Sequence, residues 1–182
     1  MCIEIEAKLK VDSLPKVEQK LAELGAEFLA EQLQTDCYFD DTEATLTKTD
    51  RCLRLRREQV GNSQRFFLAY KGAREKDQFK KRQQIEIEIK NADLTEQLLL
   101  ALGYKKVLVF EKKRRMWQLG DCVVALDELP LLGNFVEIEG PEDQKIGDVQ
   151  KDLGLANLPH IAESYASLMA EKLCADEARE AR

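Results

Sequence analysis

Strict alternation of apolar and charged residues is the feature that most limits the fold of this chain. The first such run, residues 3–10, reads Ile-Glu-Ile-Glu-Ala-Lys-Leu-Lys. Side chains of a β-strand point alternately to its two faces, so Glu4, Glu6 and Lys8 share one face while Ile3 and Ile5 lie on the other. The run therefore predicts a strand with one apolar and one charged face.

The same period of two recurs along the chain, and charges of one sign are grouped on single strands. The charged faces carry Arg54 and Arg56, then Arg82, Gln84, Glu86 and Glu88, then Lys112 and Arg114, and finally Glu137 and Glu139, with Asp127 on a neighbouring strand. The opposite faces are aliphatic and need a cover, which amphipathic helices can supply. Two arrangements fit: an open sheet with one solvated face, or a barrel whose charged faces line its lumen. The open sheet, in which opposite charges simply pair across strands, explains the like-charge pairs less well.

Turn and cap residues divide the chain into about eight strands and three helical regions. Asp12 or Ser13 can cap a first helix that Gly25 ends, and Asp93 can cap a second that Gly103 ends. Strands are expected at residues 3–10, 27–40, 51–58, 64–71, 82–90, 104–119, 122–129 and 135–139, with a polar, mobile loop at 72–81 and a third helical region, in two pieces, from residue 142. We predict an α+β fold, an eight-stranded antiparallel β-barrel (a tunnel) with a charged lumen and flanking helices, over residues 1–170. A charged tail at 171–182 follows, and its last residues are expected to fray.

The bulk composition narrows the classes of function. At 182 residues, with 44% hydrophobic and 34% charged residues, the chain has the composition of one soluble globular domain. A net charge of −6 argues against nonspecific nucleic-acid binding, and no apolar run is as long as a membrane span. The five cysteines are scattered and the only histidine is His160, so a disulfide framework, a zinc site and Ser-His or Cys-His catalysis are poorly supported. Without a signal-peptide pattern, we expect a cytoplasmic protein.

A lumen lined by charges of both signs needs dense ion pairing or a ligand, because buried unpaired charges are costly. Arginines bind phosphate oxygens in a bidentate manner, lysines supply point charges, and carboxylates hold Mg²⁺ or Mn²⁺. A metal-bound polyphosphate matches this combination of side chains.

A set of short motifs follows in order along nearly the whole chain, from Cys2 to about Leu168. The motifs are Glu4-x-Glu6-x-Lys8, Asp36-Cys-Tyr-Phe-Asp40, Leu53-Arg-Leu-Arg56, Tyr70-Lys-Gly72, Glu111-Lys-Lys-Arg114, Leu126-Asp127, Gly133-Asn-Phe-Val-Glu-Ile-Glu139 and Ser164-Tyr165. The set resembles the CYTH superfamily, also called triphosphate tunnel metalloenzymes, which includes class IV adenylyl cyclases, thiamine triphosphatases and inorganic triphosphatases. The first motif alone is weak, since its spacing recurs at residues 86–90, but the ordered set is specific.

The resemblance implies an eight-stranded tunnel that binds a triphosphate together with a divalent metal ion. By motif position it implies phosphate contacts for Lys8, Arg54, Arg56, Lys71, Arg82, Lys112 and Arg114, and metal ligation by Glu4, Glu6, Asp127, Glu137 and Glu139. Lys8 and Glu86 are the candidate catalytic residues. Relatives often carry Arg-x-Glu-x-Glu where this chain has Arg82-x-Gln84-x-Glu86, and Glu88 on the same face could compensate.

Two reactions fit such a site. In hydrolysis a water attacks the terminal phosphorus, and in cyclisation the 3′-hydroxyl of ATP attacks the α-phosphorus and pyrophosphate leaves. The pattern looks closest to bacterial class IV cyclase-like members, yet the chain shows no P-loop, so the choice between the reactions stays open. The alternatives are a non-catalytic polyphosphate- or nucleotide-binding module and a purely structural barrel. We expect a small-molecule triphosphate as partner, no nucleic acid or membrane, and a monomer or homodimer.

Overall fold

Strands of the chain close into a single antiparallel barrel in the computed structural model, which describes residues 2–75 and 79–180. Within those ranges the strands are β1 (Cys2–Val11), β2 (Glu27–Asp40), β3 (Cys52–Val60), β4 (Ser63–Glu75), β5 (Lys80–Ile89), β6 (Lys105–Leu119), β7 (Cys122–Leu129) and β8 (Gly133–Glu139). Their order around the barrel is β1-β5-β4-β3-β2-β6-β7-β8. The predicted eight-stranded α+β barrel is confirmed, and the open sheet is excluded.

The pairing register places the charged residues of neighbouring strands on the same face of the sheet. Lys8 of β1 lies opposite Glu137 of β8, and Asp36 of β2 lies opposite Arg56 of β3. Directly opposed residues of an antiparallel pair point to the same face of the sheet. Because the sheet is closed, one of its faces is the lumen, and these four residues all line the cavity there.

The apolar core lies outside the barrel, between the wall and the helices. The helices of the described ranges are α1 (Leu14–Glu23), α2 (Thr45–Lys48), α3 (Ala92–Ala101), α4 (Asp143–Asp152) and α5 (Tyr165–Glu180). α1 and α4 cover the outer face of β1, β7 and β8, and Leu21 and Ile146 there are completely buried. α3 packs on β2 and β3, and α5 begins against Phe110, Leu129 and Phe135.

The helix cover is less complete than the sequence predicts. On the outer face of β5, Ile85 and Ile87 are about half exposed, at 47% and 53%. α3 follows β5 directly but packs on β2, β3 and β6, so it leaves this part of the wall uncovered. In the described part of the chain, no helix has the length and apolar character needed to cross a membrane.

Two details at element ends, the loop at 72–81 and the cap of α3, differ from the sequence predictions. The predicted loop at 72–81 is mostly strand, since β4 continues to Glu75 and β5 begins at Lys80; residues 76–78 lie outside the described ranges. The cap of α3 is Asn91, whose side-chain oxygen accepts from the Leu94 amide at 3.0 Å, whereas Asp93 lies inside the helix. Ser13 occupies the cap position of α1 but makes no capping hydrogen bond. Of the predicted tail, residues 171–180 continue α5, and residues 181 and 182 lie outside the described ranges.

Candidate active site

The barrel lumen encloses a cavity of about 340 Å³, within the size range of small-molecule sites. Every residue that the sequence predicts for the site, except Asp127, lines this cavity. The alternation of each strand is the cause, because a residue shares its face with the residues two positions away.

Asp36 organises the cations on the β2–β3 side of the lumen. It accepts hydrogen bonds from Arg56 Nε at 2.7 Å and Arg56 Nη2 at 2.8 Å, and Arg54 Nη1 lies 3.8 Å away. Burial alone would raise the pKa of Asp36, but the charges of Arg56 and Arg54 outweigh it and hold that pKa well below its usual range. Asp36 therefore stays ionised and allows two arginines to lie side by side.

Arg54 retains an unused donor in this wall. Its Nη2 donates to Glu86 at 3.0 Å, but its buried Nε has no hydrogen-bond partner in the described part of the chain. The residue is only 8% exposed. A buried cationic donor without an acceptor is costly unless a ligand supplies one, and an anion is the natural ligand.

On β6, which pairs with β2, Lys112 and Arg114 lie beside Asp127. Arg114 Nε and Nη2 donate to the two oxygens of Asp127 at 2.7 and 2.5 Å, Nη2 also donates to Glu137, and Lys112 Nζ lies 3.5 Å from Asp127. Burial, together with the charge of Arg114, lowers the pKa of Lys112 to about 7. A bound polyanion would reverse this shift, since it favours the ammonium form.

Asp127 is completely buried behind these cations. Besides the bonds from Arg114, its Oδ2 accepts from the Tyr165 hydroxyl at 2.8 Å. These contacts orient Arg114. Asp127 shares the lumen face with Arg114, which lies opposite it in the β6–β7 pair, but its partners cover it and it does not line the cavity. Its metal role stays a prediction.

Lys8 lies where β1 and β8 meet the start of α5. Its Nζ donates to the Glu163 carbonyl at 3.0 Å, lies 3.4 Å from Glu137 Oε1, and stands 4.1 Å from the centre of the Tyr165 ring. At 2% exposure it is a buried ammonium held from three sides. Its phosphate-binding and catalytic roles stay predictions.

Carboxylates dominate the β1–β8 side of the lumen. Burial and the negative charges of Glu4 and Glu6 raise the pKa of Glu139 to about 7, so these three side chains lie within electrostatic reach of one another. Such acceptor-only oxygens suit Mg²⁺ or Mn²⁺, and a divalent cation would relieve their repulsion. Glu4, however, is held by Lys71 Nζ at 2.6 Å, and no three acidic, histidine or cysteine residues of the described ranges are gathered closely enough to hold a metal ion. The donor set fits in kind, and Glu4 would have to exchange Lys71 for the ion.

Arg82, Gln84 and Glu88 alternate along β5, but only the first two line the cavity. The Arg82 guanidinium donates to the carbonyls of Gly72 at 2.9 Å and Asp50 at 2.7 Å, although the residue also lines the cavity. Gln84 lines the cavity with a buried Oε1 that has no partner in the described ranges. Glu88 pairs instead with Arg65 at 2.8 Å, is about half exposed and does not line the cavity, so it does not replace a carboxylate at Gln84.

Sequence reasoning missed a group of lumen residues. They are Gln32 and Gln34 on β2, Glu58 on β3, and Phe67 on β4. Their signal is the same period of two: Gln32 and Gln34 precede Asp36, and Glu58 follows Arg54 and Arg56. Tyr165 belongs to the Ser164-Tyr165 motif, but its entry into the lumen from α5 has no periodic signal.

Fold and site together define a closed antiparallel barrel with a densely charged lumen. The chain belongs to the CYTH domain family, whose domain matches residues 2–165. The predicted resemblance is thereby confirmed.

Relatives and solved structures cover almost the same length. A protein of Methanocaldococcus jannaschii named "Putative adenylate cyclase" is 34% identical over 160 residues, which are 87% of each chain. Adenylate cyclase CyaB of Aeromonas hydrophila is 28% identical over 93% of this chain and 90% of its own. The structure of the PH1819 protein from Pyrococcus horikoshii OT3 has a TM-score of 0.81 and 30% identity, and the match covers 93% of this chain and 99% of that one.

Proposed function

We propose that this protein is an enzyme that acts on a triphosphate in its lumen with Mg²⁺ or Mn²⁺. The observation that carries the proposal is the unpartnered Nε of Arg54 in a buried wall of cations. Ion pairing inside the barrel leaves this donor unused, so a purely structural barrel does not account for it. The names of the Methanocaldococcus and Aeromonas relatives support the enzyme class.

In this proposal the basic residues bind and orient the phosphate chain. Arg54 and Arg56 offer guanidinium donors from β3, while Lys112 and Arg114 offer charge from β6. Charge that develops on the phosphate oxygens during the reaction is stabilised by donors already in place, because Asp36 and Asp127 hold the guanidinium groups of Arg56 and Arg114.

Glu4, Glu6 and Glu139 would hold the metal ion, and the predicted roles of Asp127 and Glu137 in metal binding remain proposals. The ion supplies a Lewis acid that neutralises phosphate charge when bound. Lys8 would neutralise the reacting phosphoryl group. Glu86, about a third exposed and bonded to Arg54, would accept the proton from the attacking oxygen.

Both reactions satisfy this arrangement. In hydrolysis, water forms a bond to the terminal phosphorus, the bridging bond breaks, and the products are phosphate and a diphosphate. In cyclisation, the 3′-oxygen of ATP bonds to the α-phosphorus, and pyrophosphate leaves with the bond electrons. The adenylate cyclase names of the relatives favour cyclisation as a candidate to be tested beside hydrolysis.

The test is incubation with Mg²⁺ or Mn²⁺ and, in turn, tripolyphosphate, thiamine triphosphate and ATP. Released phosphate identifies a hydrolase, and cyclic AMP with pyrophosphate identifies a cyclase. Binding without turnover would support the non-catalytic module. No turnover and no rise in melting temperature with any compound would leave the structural barrel.

A matched pair of variants makes the assay specific to the lumen. Arg54→Gln should lower kcat/KM by about 10²-fold, because it removes a phosphate donor. Arg57 lies on the outer face of the same strand, where it pairs with Asp93 at 2.6 Å, so Arg57→Gln should keep most of the activity. Equal losses in the two variants would contradict the proposed lumen site.

We also propose a cytoplasmic location. Cys37, Cys52, Cys122 and Cys174 are free thiols, as expected in a reducing compartment. Mass-spectrometric mapping of thiols in protein taken from its native cells would test it, and extensive disulfide formation would contradict it.

A further inference from the structure

One region of the lumen is unused by the phosphate site described above. It consists of Gln32, Gln34, Glu58, Arg65 and Phe67, here called the glutamine region, and all five line the cavity. In the β3–β4 pairing Glu58 lies opposite Arg65, and Phe67 lies opposite Arg56. The glutamine region therefore adjoins the proposed phosphate contacts.

Gln34 presents an unpartnered acceptor in this region. Its Nε2 donates to Gln32 Oε1 at 2.6 Å and to Glu58 Oε2 at 3.1 Å. Because an ionised carboxylate only accepts hydrogen bonds, the contact with Glu58 fixes which end of the amide is nitrogen. The opposite atom, Oε1, is buried and receives no hydrogen bond from the described part of the chain, although Gln34 is only 2% exposed.

The surroundings of that oxygen define the chemistry of a ligand. The Gln34 oxygen and the Glu58 carboxylate are acceptors, so they select a hydrogen-bond donor on the ligand. Phe67 adds an aromatic ring, and the Arg65 guanidinium stands 4.9 Å from its centre. A flat heteroaromatic ring with an exocyclic amino group matches both features, since the ring stacks and the amino group donates.

We propose that the glutamine region binds the amino-bearing heteroaromatic ring of an organic triphosphate, and that Gln34 is its specificity-determining residue. This inference rests on the proposed function, because the phosphate chain of the same ligand occupies the neighbouring cations. Inorganic tripolyphosphate would leave the Gln34 oxygen unsatisfied. A ring with a keto oxygen at the amino position would place oxygen against oxygen, so the region rejects it.

The decisive comparison uses two ligands that differ only in the donor. ATP and purine riboside triphosphate share every group except the exocyclic amino group. We expect kcat/KM, or binding affinity if turnover is absent, to be about 10- to 100-fold higher for ATP, because a buried acceptor is left unpaired by the second ligand. Equal values for the two nucleotides would overturn the inference.

Tripolyphosphate separates this inference from the proposed function. If tripolyphosphate binds and ATP gains nothing over purine riboside triphosphate, the proposed function stands and the glutamine region has no ligand role. If no triphosphate binds at all, both proposals fail.

Variants then assign the preference to Gln34. Gln34→Met keeps the length of the side chain but removes its acceptor, so the preference for ATP over purine riboside triphosphate should fall towards one. Gln59 is an exposed glutamine one position beyond Glu58, where it bonds to the Gly61 carbonyl, and Gln59→Met should keep the full preference. An undiminished preference in a folded Gln34→Met protein would overturn the assignment, and the wild-type comparison decides the inference even if that variant does not fold.

Discussion

Asp36 is a buried anion that lets Arg54 and Arg56 lie side by side in one wall of the lumen. Its side chain is 2% exposed and lies between Arg56, which bonds to both of its oxygens, and Arg54. Removal of one partner of a buried ion pair costs far more than the pair itself contributes, because the remaining charge has lost its solvation. The geometry of the proposed phosphate site thus depends on a residue that does not need to touch the substrate.

Asp36→Asn should lower the free energy of unfolding by about 3–5 kcal/mol, as urea denaturation at pH 7 would measure. Tripolyphosphate should restore part of the loss, since its charge replaces that of Asp36. Glu31→Gln is the control: Glu31 pairs with Lys113 at 3.1 Å with both side chains about half exposed, and its loss should cost less than about 1 kcal/mol. Similar costs for the two variants would contradict the anchoring role.

The same variant has a defined pH signature. The folded-state pKa of Asp36 lies below the unfolded value, so its stabilisation is present above about pH 4 and is lost as the pH falls through the folded value. Wild-type protein should therefore lose more stability than Asp36→Asn between about pH 5 and pH 2. A parallel decline of the two proteins in acid denaturation would show that Asp36 is not held ionised by its arginines.

The lowered pKa of Lys112 predicts that ligand binding is coupled to proton uptake. Its pKa near 7 in the ligand-free barrel should rise when a polyanion binds, so binding takes up protons, and affinity falls as the pH increases above 7. Calorimetric titration of tripolyphosphate in EDTA at pH 7.5, in buffers of different ionisation enthalpy, measures that uptake.

When tripolyphosphate binds, Lys112→Met should take up fewer protons than the wild-type protein, and the difference should be up to about one proton per site. Lys113→Met, on the outer face of the same strand, should match wild type, and the titrations of the ligand and of Glu139 are common to all three proteins. An uptake unchanged in Lys112→Met would contradict the linkage.

Among the secondary-structure elements, α4 packs closely against the barrel where Gly140 approaches Cys122 of β7 and Ile146 of α4. Gly140 follows β8 and donates its amide to the Ile5 carbonyl at 3.2 Å. A Cβ atom at Gly140 would lie 2.8 Å from Cys122 Sγ and 2.9 Å from Ile146 Cγ1. Both neighbours belong to the core between the wall and α4, so they have little room to move.

Gly140→Ala should therefore lower the free energy of unfolding by about 1–3 kcal/mol through overpacking. Gly147 lies within α4, and a Cβ atom added there would have no other atom within 4 Å. Gly147→Ala should therefore raise the free energy of unfolding by about 0.5–1 kcal/mol. Thermal and urea denaturation of the pair measure both effects. A neutral Gly140→Ala protein would mean that α4 can move away from β7 at little cost.

Sequence patterns predicted strands well because a strand imposes one simple rule on its side chains. The period of two sufficed to place Glu4, Lys8 and Glu137 on the lumen face. The element ends were harder, because Asn91 and Asp93 are equally good cap residues and only backbone geometry chooses between them.

In the whole molecule, closure of the sheet determines which lumen side chains find partners, and local sequence patterns do not. Asp127 and Gln34 both follow the alternation, yet the first is buried behind Arg114 and the second has a buried oxygen without a partner in the described part of the chain. These outcomes depend on partners 13 and 24 residues away across strand pairs. The family could be predicted without knowledge of these cross-strand partners. Which carboxylates bond to an arginine could not be predicted without it.

The segment before α5 joins the lumen to the outside of the barrel. Ile161 donates its amide to the Lys8 carbonyl at 2.8 Å, and Arg74 Nη1 donates to the Ala162 carbonyl at 2.5 Å. Tyr165 then completes the connection through its hydroxyl bond to Asp127 and its ring beneath Lys8. Lumen charges and the C-terminal helix should accordingly be coupled in stability.

Tyr165→Phe tests this coupling because it keeps the ring and its contacts with Lys8 but removes the donor to a buried carboxylate. A hydrogen bond to a charged group contributes about 1.5–3 kcal/mol, so the free energy of unfolding should fall by about that amount. Loosening should be local as well as global, and amide exchange at residues 161–169 should accelerate more than in β2 or β3. Tyr104→Phe, in the apolar contact of α3, serves as the matched control and should change stability little. If Tyr165→Phe unfolds like wild type and exchange at residues 161–169 is unchanged, the C-terminal helix is held by its apolar contacts with Phe135 and Phe110 alone.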